Sequence, residues 1–163
     1  MMVGILIVTH GCLGKVLAET AGSILDTPAD SLIAVSVAAD DCAKTLREKI
    51  RTAIRAADRK HGILILTDMF GGAASDMSYS FLEKGKIDVI SAVNLPILLK
   101  AMKMREHMCL RDLARCLTAY GKQNISLASD ILSGKRREQK SVCPFIKKDA
   151  DAVIPYNEIR LCG

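Results

Sequence analysis

Four short apolar runs, spaced along the first 93 residues, constrain the fold of this chain more than any other feature. Continuous runs of this kind are typical of strands that are covered on both faces, because both sides of such a strand must then be apolar. We therefore predict four buried strands, at residues 3–9 (VGILIVT), 32–37 (LIAVSV), 62–67 (GILILT) and 87–93 (IDVISAV).

Helical patterns separate and follow these strands. The clearest lies in residues 42–60, where apolar side chains recur every three or four positions and charged side chains lie opposite them. Further helices are predicted at residues 13–26, 73–83, 95–106 and 110–132. Strands that alternate with helices predict an α/β fold, with a mainly parallel four-stranded sheet and helices on both of its faces.

Length and hydropathy narrow the class of protein. A chain of 163 residues is long enough to bury the core of one domain. Only 4% of the residues are aromatic, so that core must be aliphatic. No apolar run approaches the roughly 18 residues of a membrane span, and the first residues lack the basic segment of a secretory signal. We expect a cytoplasmic protein.

The charge of the chain is uneven. Residues 134–163 hold seven Lys and Arg against four Asp and Glu, which gives +3 of the net +5. This shift predicts a domain boundary after residue 133, with one domain at residues 1–133 and a basic C-terminal extension at 134–163. The cluster SGKRREQK has no interleaved aromatic residues, so it reads as a solvated connector and we expect no nucleic-acid partner.

The six cysteines show neither a CxxC pair nor a cysteine–histidine spacing of the kind that binds zinc. In a cytoplasmic chain this pattern predicts free thiols, mostly buried, because cysteine often behaves as a small apolar residue. We expect no metal site.

The carboxyl ends of the predicted strands carry the candidate chemistry, because ligands of parallel sheets bind at that edge. The first strand ends in Thr9-His10-Gly11, and the third ends in Thr67-Asp68. If these strands are neighbours, His10 and Asp68 project into one crevice. A carboxylate fixes the tautomer of an imidazole and leaves its other nitrogen as a nucleophile. One His and one Asp without a third donor make a poor metal site.

A glycine turn follows Asp68. Gly71 and Gly72 open onto a predicted helix, and such a turn suits an anion such as phosphate, although structural turns also use paired glycines. Gly11 lets the backbone approach a bound group closely. The chain contains neither GxxxxGK[ST] nor GxGxxG. These features predict a histidine that accepts a phosphoryl group without a nucleotide or other cofactor.

Three motifs in register resemble the enzyme IIA component of the mannose family of the bacterial sugar phosphotransferase system: IVTHG, LTDMFGGAAS and AVNLPILLKAM. The resemblance covers residues 1–133. It implies a phosphotransferase in which His10 is phosphorylated by the phosphocarrier HPr and passes the group to a IIB component, upstream of the membrane components IIC and IID. It also implies that Asp68 is the acidic partner of the histidine. The residues that it places around the phosphoryl group are Gly11, Thr67, Gly71, Gly72 and Ser75.

The same resemblance implies a homodimer in which a C-terminal strand is exchanged, for which residues 152–163 (AVIPYNEIRLCG) are the candidate here. Two features depart from the family pattern. Ala73-Ala74 stands where the family usually has a hydroxyl residue and a proline, and residues 134–163 do not resemble the linker to a fused IIB domain.

Two other functions stay open at the level of the sequence. One is a regulatory phosphoacceptor of the same fold that signals the state of the phosphotransferase system to a partner without sugar transport. The other is the phosphocarrier subunit of dihydroxyacetone kinase, whose glycine motif differs from DMFGGAAS. Neighbouring genes for membrane components, regulators or a kinase would separate the three. The sequence does not predict which sugar is involved.

Overall fold

Four parallel strands form the centre of the protein. The computed structural model describes residues 2–28 and 32–133, so the predicted exchanged strand lies outside the described residues. The strands are β1 (Gly4–His10), β2 (Ile33–Val37), β3 (Ile63–Thr67) and β4 (Ile87–Ile90). The helices are α1 (Leu13–Leu25), α2 (Ala43–Ala57), α3 (Ala73–Tyr79), α4 (Leu95–Met104), α5 (Leu110–Gln123) and α6 (Ala128–Leu132).

The order of the strands in the sheet is β2-β1-β3-β4, with every neighbouring pair parallel. Because the connections of parallel strands are right-handed, α1 and α2 lie on opposite faces of the sheet. Helix α4 packs against both α1 and α5, and α3 packs against α2. The predicted α/β class, with helices on both faces, is confirmed.

The aliphatic side chains of β1 and β3 fill the centre of the core. Leu6, Val8, Leu64 and Leu66 have no exposed surface. Burying an aliphatic side chain of this size contributes about 1.5–3 kcal/mol, so these two strands are the most firmly held part of the sheet. β2 differs, because it lies at the edge: its residue Ala34 is exposed, and the prediction that both faces of this strand are covered is wrong.

Four predicted boundaries are wrong. α2 ends at Ala57 rather than at residue 60, because the residue that follows has an extended backbone. β4 ends at Ile90 rather than at residue 93, because Ala92 adopts a left-handed conformation (φ 68°) that turns the chain out of the sheet. α3 ends at Tyr79 rather than at residue 83, because the next three residues form tight turns with bonds from residue i to i−3. The predicted helix at 110–132 is two helices, with a break after Gln123.

The cysteines are less buried than the sequence predicts. Of the four in the described residues, Cys12, Cys42 and Cys109 are exposed, and Cys116 is buried in α5. Each of the three exposed cysteines directly precedes a helix as its N-cap residue, where the chain is at the surface. The free thiols of these three exposed cysteines agree with the prediction.

The chain divides into two units, residues 1–125 and residues 126–163. The first holds the sheet and helices α1 to α5. Of the second, the structure describes residues 126–133, which contain the short helix α6. Among the described residues, no helix combines the length and apolar character that crossing a bilayer requires. The domain boundary predicted after residue 133 stays a prediction.

Candidate functional site

The candidate site lies where the order of the strands reverses. From β1 the chain moves to β2 on one side and then to β3 on the other, so the carboxyl ends of β1 and β3 flank a crevice. Val8 pairs with Thr67 in the register of these two strands. His10, at the end of β1, and Asp68, directly after β3, therefore meet at the same edge, as the sequence predicts for neighbouring strands.

His10 and Asp68 are joined by two hydrogen bonds to one oxygen. Asp68 Oδ2 accepts from the backbone N–H of His10 at 2.8 Å and contacts His10 Nδ1 at 2.8 Å. The side chain of Asp68 is 13% exposed, whereas that of His10 is 45% exposed. The carboxylate thus lies below the imidazole, and the ring faces solvent.

The environment of Asp68 keeps it ionised. Burial raises the pKa of its carboxyl group, but hydrogen bonds from the His10 backbone, the His10 ring and the backbone N–H of Met69 lower the pKa by more, so the net shift is downward. An ionised carboxylate only accepts hydrogen bonds, so Nδ1 must carry the ring proton. In the neutral ring the lone pair then lies on Nε2, which has no protein partner within residues 2–28 and 32–133.

Buried hydroxyl groups fix the two strand ends behind the dyad. Thr9 Oγ1 accepts from the N–H of Gly14 in the first turn of α1 at 2.7 Å, and Thr9 has no exposed surface. Thr67 Oγ1 donates to Ser91 Oγ at 3.2 Å and is also fully buried. The hydroxyl of Thr67 therefore faces the interior and supports the strand end on which Asp68 follows.

The predicted anion-binding glycines have different surroundings. The N–H of Gly11 donates to the carbonyl of Val37 at 3.1 Å and so ties the turn after β1 to β2. Gly71 is exposed and has a φ of 75°, a conformation that disfavours other residues. A Cβ on Gly72 would lie 3.1 Å from His10 Cε1, so glycine at this position lets the imidazole lie against the backbone.

Ser75 belongs to the start of α3. It is fully buried, and its hydroxyl accepts from the N–H of Gly72 at 3.1 Å and donates to the carbonyl of Gly72 at 2.9 Å. For this hydroxyl to reach a group on His10, both bonds would have to open. The amides of the first turn of α3 have no carbonyl partner within the helix, and they directly follow the glycine turn.

The rim of the site is apolar. Met69 and Phe70 follow Asp68 in the turn before α3, and the side chain of Phe70 is 79% exposed. Ala73, the first residue of α3, is also exposed and places a methyl group where the family pattern has a hydroxyl. In the described residues no cluster of three or more His, Cys, Asp or Glu side chains is arranged to hold a metal ion.

Sequence reasoning missed the residues that support the site from behind. Ser91 and Tyr79 lie outside the three predicted motifs, and Thr9 lies within IVTHG but was given no role. The hydroxyl groups of these three residues nevertheless hold the turn after β1 and the end of β3. A polar residue at the end of an apolar strand is a signal that could have indicated Thr9. No pattern in the sequence indicates the contact between Tyr79 and Ser91.

The fold and the dyad define a class: a doubly wound parallel α/β protein with an oriented imidazole at its topological switch point. Within that class, this chain belongs to the EIIA-man family of phosphotransferase-system (PTS) components. The model of that family, described as "PTS system fructose IIA component", matches residues 4–117. The predicted family is thereby confirmed, and the chain is a PTS IIA component.

Two relatives show how the match extends. The chain is 35% identical over 132 residues to the PTS system fructose-specific EIIA component of Bacillus subtilis. The aligned region covers 80% of this chain and 90% of that protein. It is 29% identical over 107 residues to the PTS system mannose-specific EIIAB component of Escherichia coli K12, of which it spans 33%. The chain therefore spans about a third of the length of that protein.

Solved structures share the fold. A phosphotransferase system component EIIA from Streptococcus agalactiae superposes with a TM-score of 0.70 at 23% identity, covering 78% of this chain and 98% of that one. A sigma-54 interaction domain protein from Enterococcus faecalis superposes with a TM-score of 0.64 at 22% identity, covering 83% of this chain and 97% of that one. The fold is thus shared by a phosphotransferase component and by a sigma-54 interaction domain protein.

Proposed function

We propose that this IIA component is a histidine phosphocarrier that accepts a phosphoryl group from HPr on His10 and passes it to a IIB component during sugar uptake. The observation that carries the proposal is the contact of His10 Nδ1 with Asp68 Oδ2 at 2.8 Å. This contact orients the exposed imidazole and leaves the lone pair of Nε2 directed away from the carboxylate.

In the proposed step, Nε2 of neutral His10 attacks the phosphorus atom of the donor phosphohistidine. A phosphorus–nitrogen bond forms at Nε2 while the one in the donor breaks, and the donor imidazole leaves with the electron pair. Positive charge develops on the His10 ring, which keeps its proton on Nδ1. The adjacent carboxylate of Asp68 stabilises that charge, so catalysis depends on positioning and electrostatics.

The glycine turn supports the other side of the proposed phosphoryl group. The exposed turn at Gly71 and Gly72 leads into the first amides of α3, and amides of this kind suit phosphoryl oxygens. Gly11 and Thr67 contribute by fixing the backbone at the ends of β1 and β3. Ser75 acts by holding Gly72, because its hydroxyl is engaged there. The proposed step uses no metal or nucleotide.

Intact-mass measurement tests this proposal. The protein is incubated with phosphoenolpyruvate, enzyme I and HPr, as wild type, as His10→Ala and as His107→Ala, the last being a control at another exposed histidine. We expect an acid-labile gain of about 80 Da, one phosphoryl group, in the wild type and in His107→Ala only. A gain that persists in His10→Ala, or none in the wild type beside a competent control, would refute the proposal.

A second candidate function is a regulatory phosphoacceptor that signals the state of the phosphotransferase system without passing the group on. The observation that favours it is the methyl group of Ala73 at the rim of the site, which removes a hydroxyl contact of the family pattern. Adding a purified IIB component of a mannose-family system to the isolated phosphoprotein separates the two. Rapid transfer supports the carrier, and a stable phosphoprotein supports the regulator.

A further inference from the structure

Tyr79, the last residue of α3, is connected to both ends of the segment 67–70 that carries Asp68: it contacts Phe70 directly and reaches Thr67 through Ser91. Its hydroxyl oxygen lies 2.7 Å from Ser91 Oγ, just beyond β4. Its ring packs against the ring of Phe70, with centroids 6.2 Å apart and planes inclined by 50°. Neither Tyr79 nor Ser91 belongs to the dyad or the glycine turn.

The hydroxyl contact continues to the end of β3. Leu66 pairs with Ile90, so the next residues, Thr67 and Ser91, are also side by side. Thr67 Oγ1, which is fully buried, donates to Ser91 Oγ at 3.2 Å. Ser91 therefore connects Thr67 to Tyr79 through two hydrogen bonds, and a buried hydroxyl without such a partner is costly.

The ring contact holds the other end of the same segment. Phe70 is 79% exposed, so few neighbouring atoms restrain it. The distance and tilt of its contact with Tyr79 fall in the range of favourable aromatic pairs. The segment 67–70 is thus held at Thr67 by the hydrogen bonds through Ser91 and at Phe70 by the ring of Tyr79. Asp68 lies between these two contacts.

We propose that Tyr79 and Ser91 are positioning residues for phosphoryl transfer. They hold residues 67–70 so that the carboxylate of Asp68 stays at hydrogen-bond distance from both His10 nitrogens that contact it. Their significance for catalysis rests on the proposed function of His10. Their effect on the geometry of the dyad does not, and it can be measured on the unphosphorylated protein.

Five variants separate the hydroxyl from the ring. Tyr79→Phe removes the hydroxyl and keeps the ring, and Tyr79→Leu removes both. Ser91→Ala breaks the chain, and Ser91→Thr retains a hydroxyl. Tyr120→Phe is the matched control, because it removes a tyrosine hydroxyl on α5, outside the contacts with Phe70 and Ser91. The ring of Tyr120 lies instead against Lys100, whose Nζ is 5.6 Å from the ring centroid.

Three properties are measured for each variant. They are the NMR signal of the proton on His10 Nδ1, the rate of phosphorylation by HPr over a range of HPr concentrations, and the melting temperature.

For Tyr79→Phe and Ser91→Ala we expect a broadened Nδ1 proton signal. We also expect a kcat about tenfold lower with little change in KM, because a small misplacement of a catalytic group slows the chemical step. Tyr79→Leu should lose more, and Ser91→Thr should regain most of the rate.

Unchanged signals and rates in Tyr79→Phe and Ser91→Ala, with only a lower melting temperature, would overturn the proposal and leave a structural role. A response of the same size in Tyr120→Phe would overturn it as well. If the wild type is not phosphorylated at all, the function proposed for His10 fails, but the Nδ1 proton signal still decides whether Tyr79 and Ser91 position the dyad.

Discussion

Two regions of β1 and β3 are held by different forces: the interiors of the strands and their carboxyl ends. Within the strands, Leu6, Leu64 and Leu66 are fully buried and held by apolar packing, which has no preferred direction. At the carboxyl ends, His10 and Asp68 are held by hydrogen bonds with defined donors and acceptors. Substitutions in the first region should change stability, and substitutions in the second should change chemistry.

The largest effect on chemistry is expected from Asp68→Asn. The amide has the shape of the carboxylate but no charge, and its NH₂ group can select the opposite tautomer of His10. Loss of a carboxylate that orients a catalytic imidazole lowers rates by about 10²–10⁴-fold in comparable sites. We expect a fall in this range in the rate of phosphorylation by HPr. Asp58→Asn is the control, because this exposed carboxylate lies between α2 and β3, at the opposite edge of the sheet, and it should keep the wild-type rate.

A fall of less than about tenfold in Asp68→Asn would contradict the role given to the carboxylate. Circular dichroism at the assay temperature must show that both variants are folded, so that the rate reports the dyad and not the population of folded protein.

The largest effect on stability is expected from Leu64→Ala in the middle of β3. Removing a fully buried leucine side chain costs about 2–5 kcal/mol of unfolding free energy, which urea denaturation measures. The control Leu82→Ala removes a side chain that is half exposed and should cost about 0.5 kcal/mol or less. If folded Leu64→Ala were phosphorylated as slowly as Asp68→Asn, the difference that we assign to the two regions would be wrong.

A smaller effect is expected from the two glycines of the turn, for opposite reasons. Gly72 has an ordinary backbone conformation, but an added Cβ would press on His10 Cε1 at 3.1 Å. Gly71 has open space around it and a φ of 75°. Gly72→Ala should therefore slow phosphorylation, whereas Gly71→Ala should lower the unfolding free energy by about 1 kcal/mol. The reverse pattern in rate assays and urea titrations would show that the ring does not lie where we describe it.

The smallest effect is expected from Ala92→Gly, just beyond β4. Alanine at a φ of 68° is strained by about 1 kcal/mol or more, and glycine relieves this at the cost of a more flexible unfolded chain. The net gain in unfolding free energy should be about 0.5 kcal/mol, with the rate of phosphorylation unchanged. A loss of stability in urea titrations would contradict the strain assigned to Ala92.

The same division explains what the sequence could predict. The buried strands were predictable because a short aliphatic run such as residues 62–67 must be buried on both sides, and a central strand of a covered sheet does this. The dyad was predictable because His10 and Asp68 directly follow two such runs, and the topology of parallel sheets then brings them together. The glycine turn was predicted from its place between a strand and a helix, and the family resemblance added Thr67 and Ser75.

The directional contacts were not predictable in this way. Ala92 and Val93 are apolar like the strand before them, and only the conformation of Ala92 shows that the strand has ended. Ser75 satisfies the backbone of Gly72, although its place in the motif implied a phosphoryl contact. Tyr79 and Ser91 are 12 residues apart, and their contact depends on side-chain geometry that no periodicity encodes.

The separation of the two dyad residues along the chain has a consequence for how the protein is made. His10 and Asp68 are 58 residues apart, so closing the loop between them carries an entropic cost that local structure does not repay. On the ribosome, a nascent chain could pair β1 with β2 while its histidine still had no carboxylate beside it. Reactivity at His10 would then arise only after the third strand had emerged and docked, so unfinished chains would not compete for the phosphoryl donor.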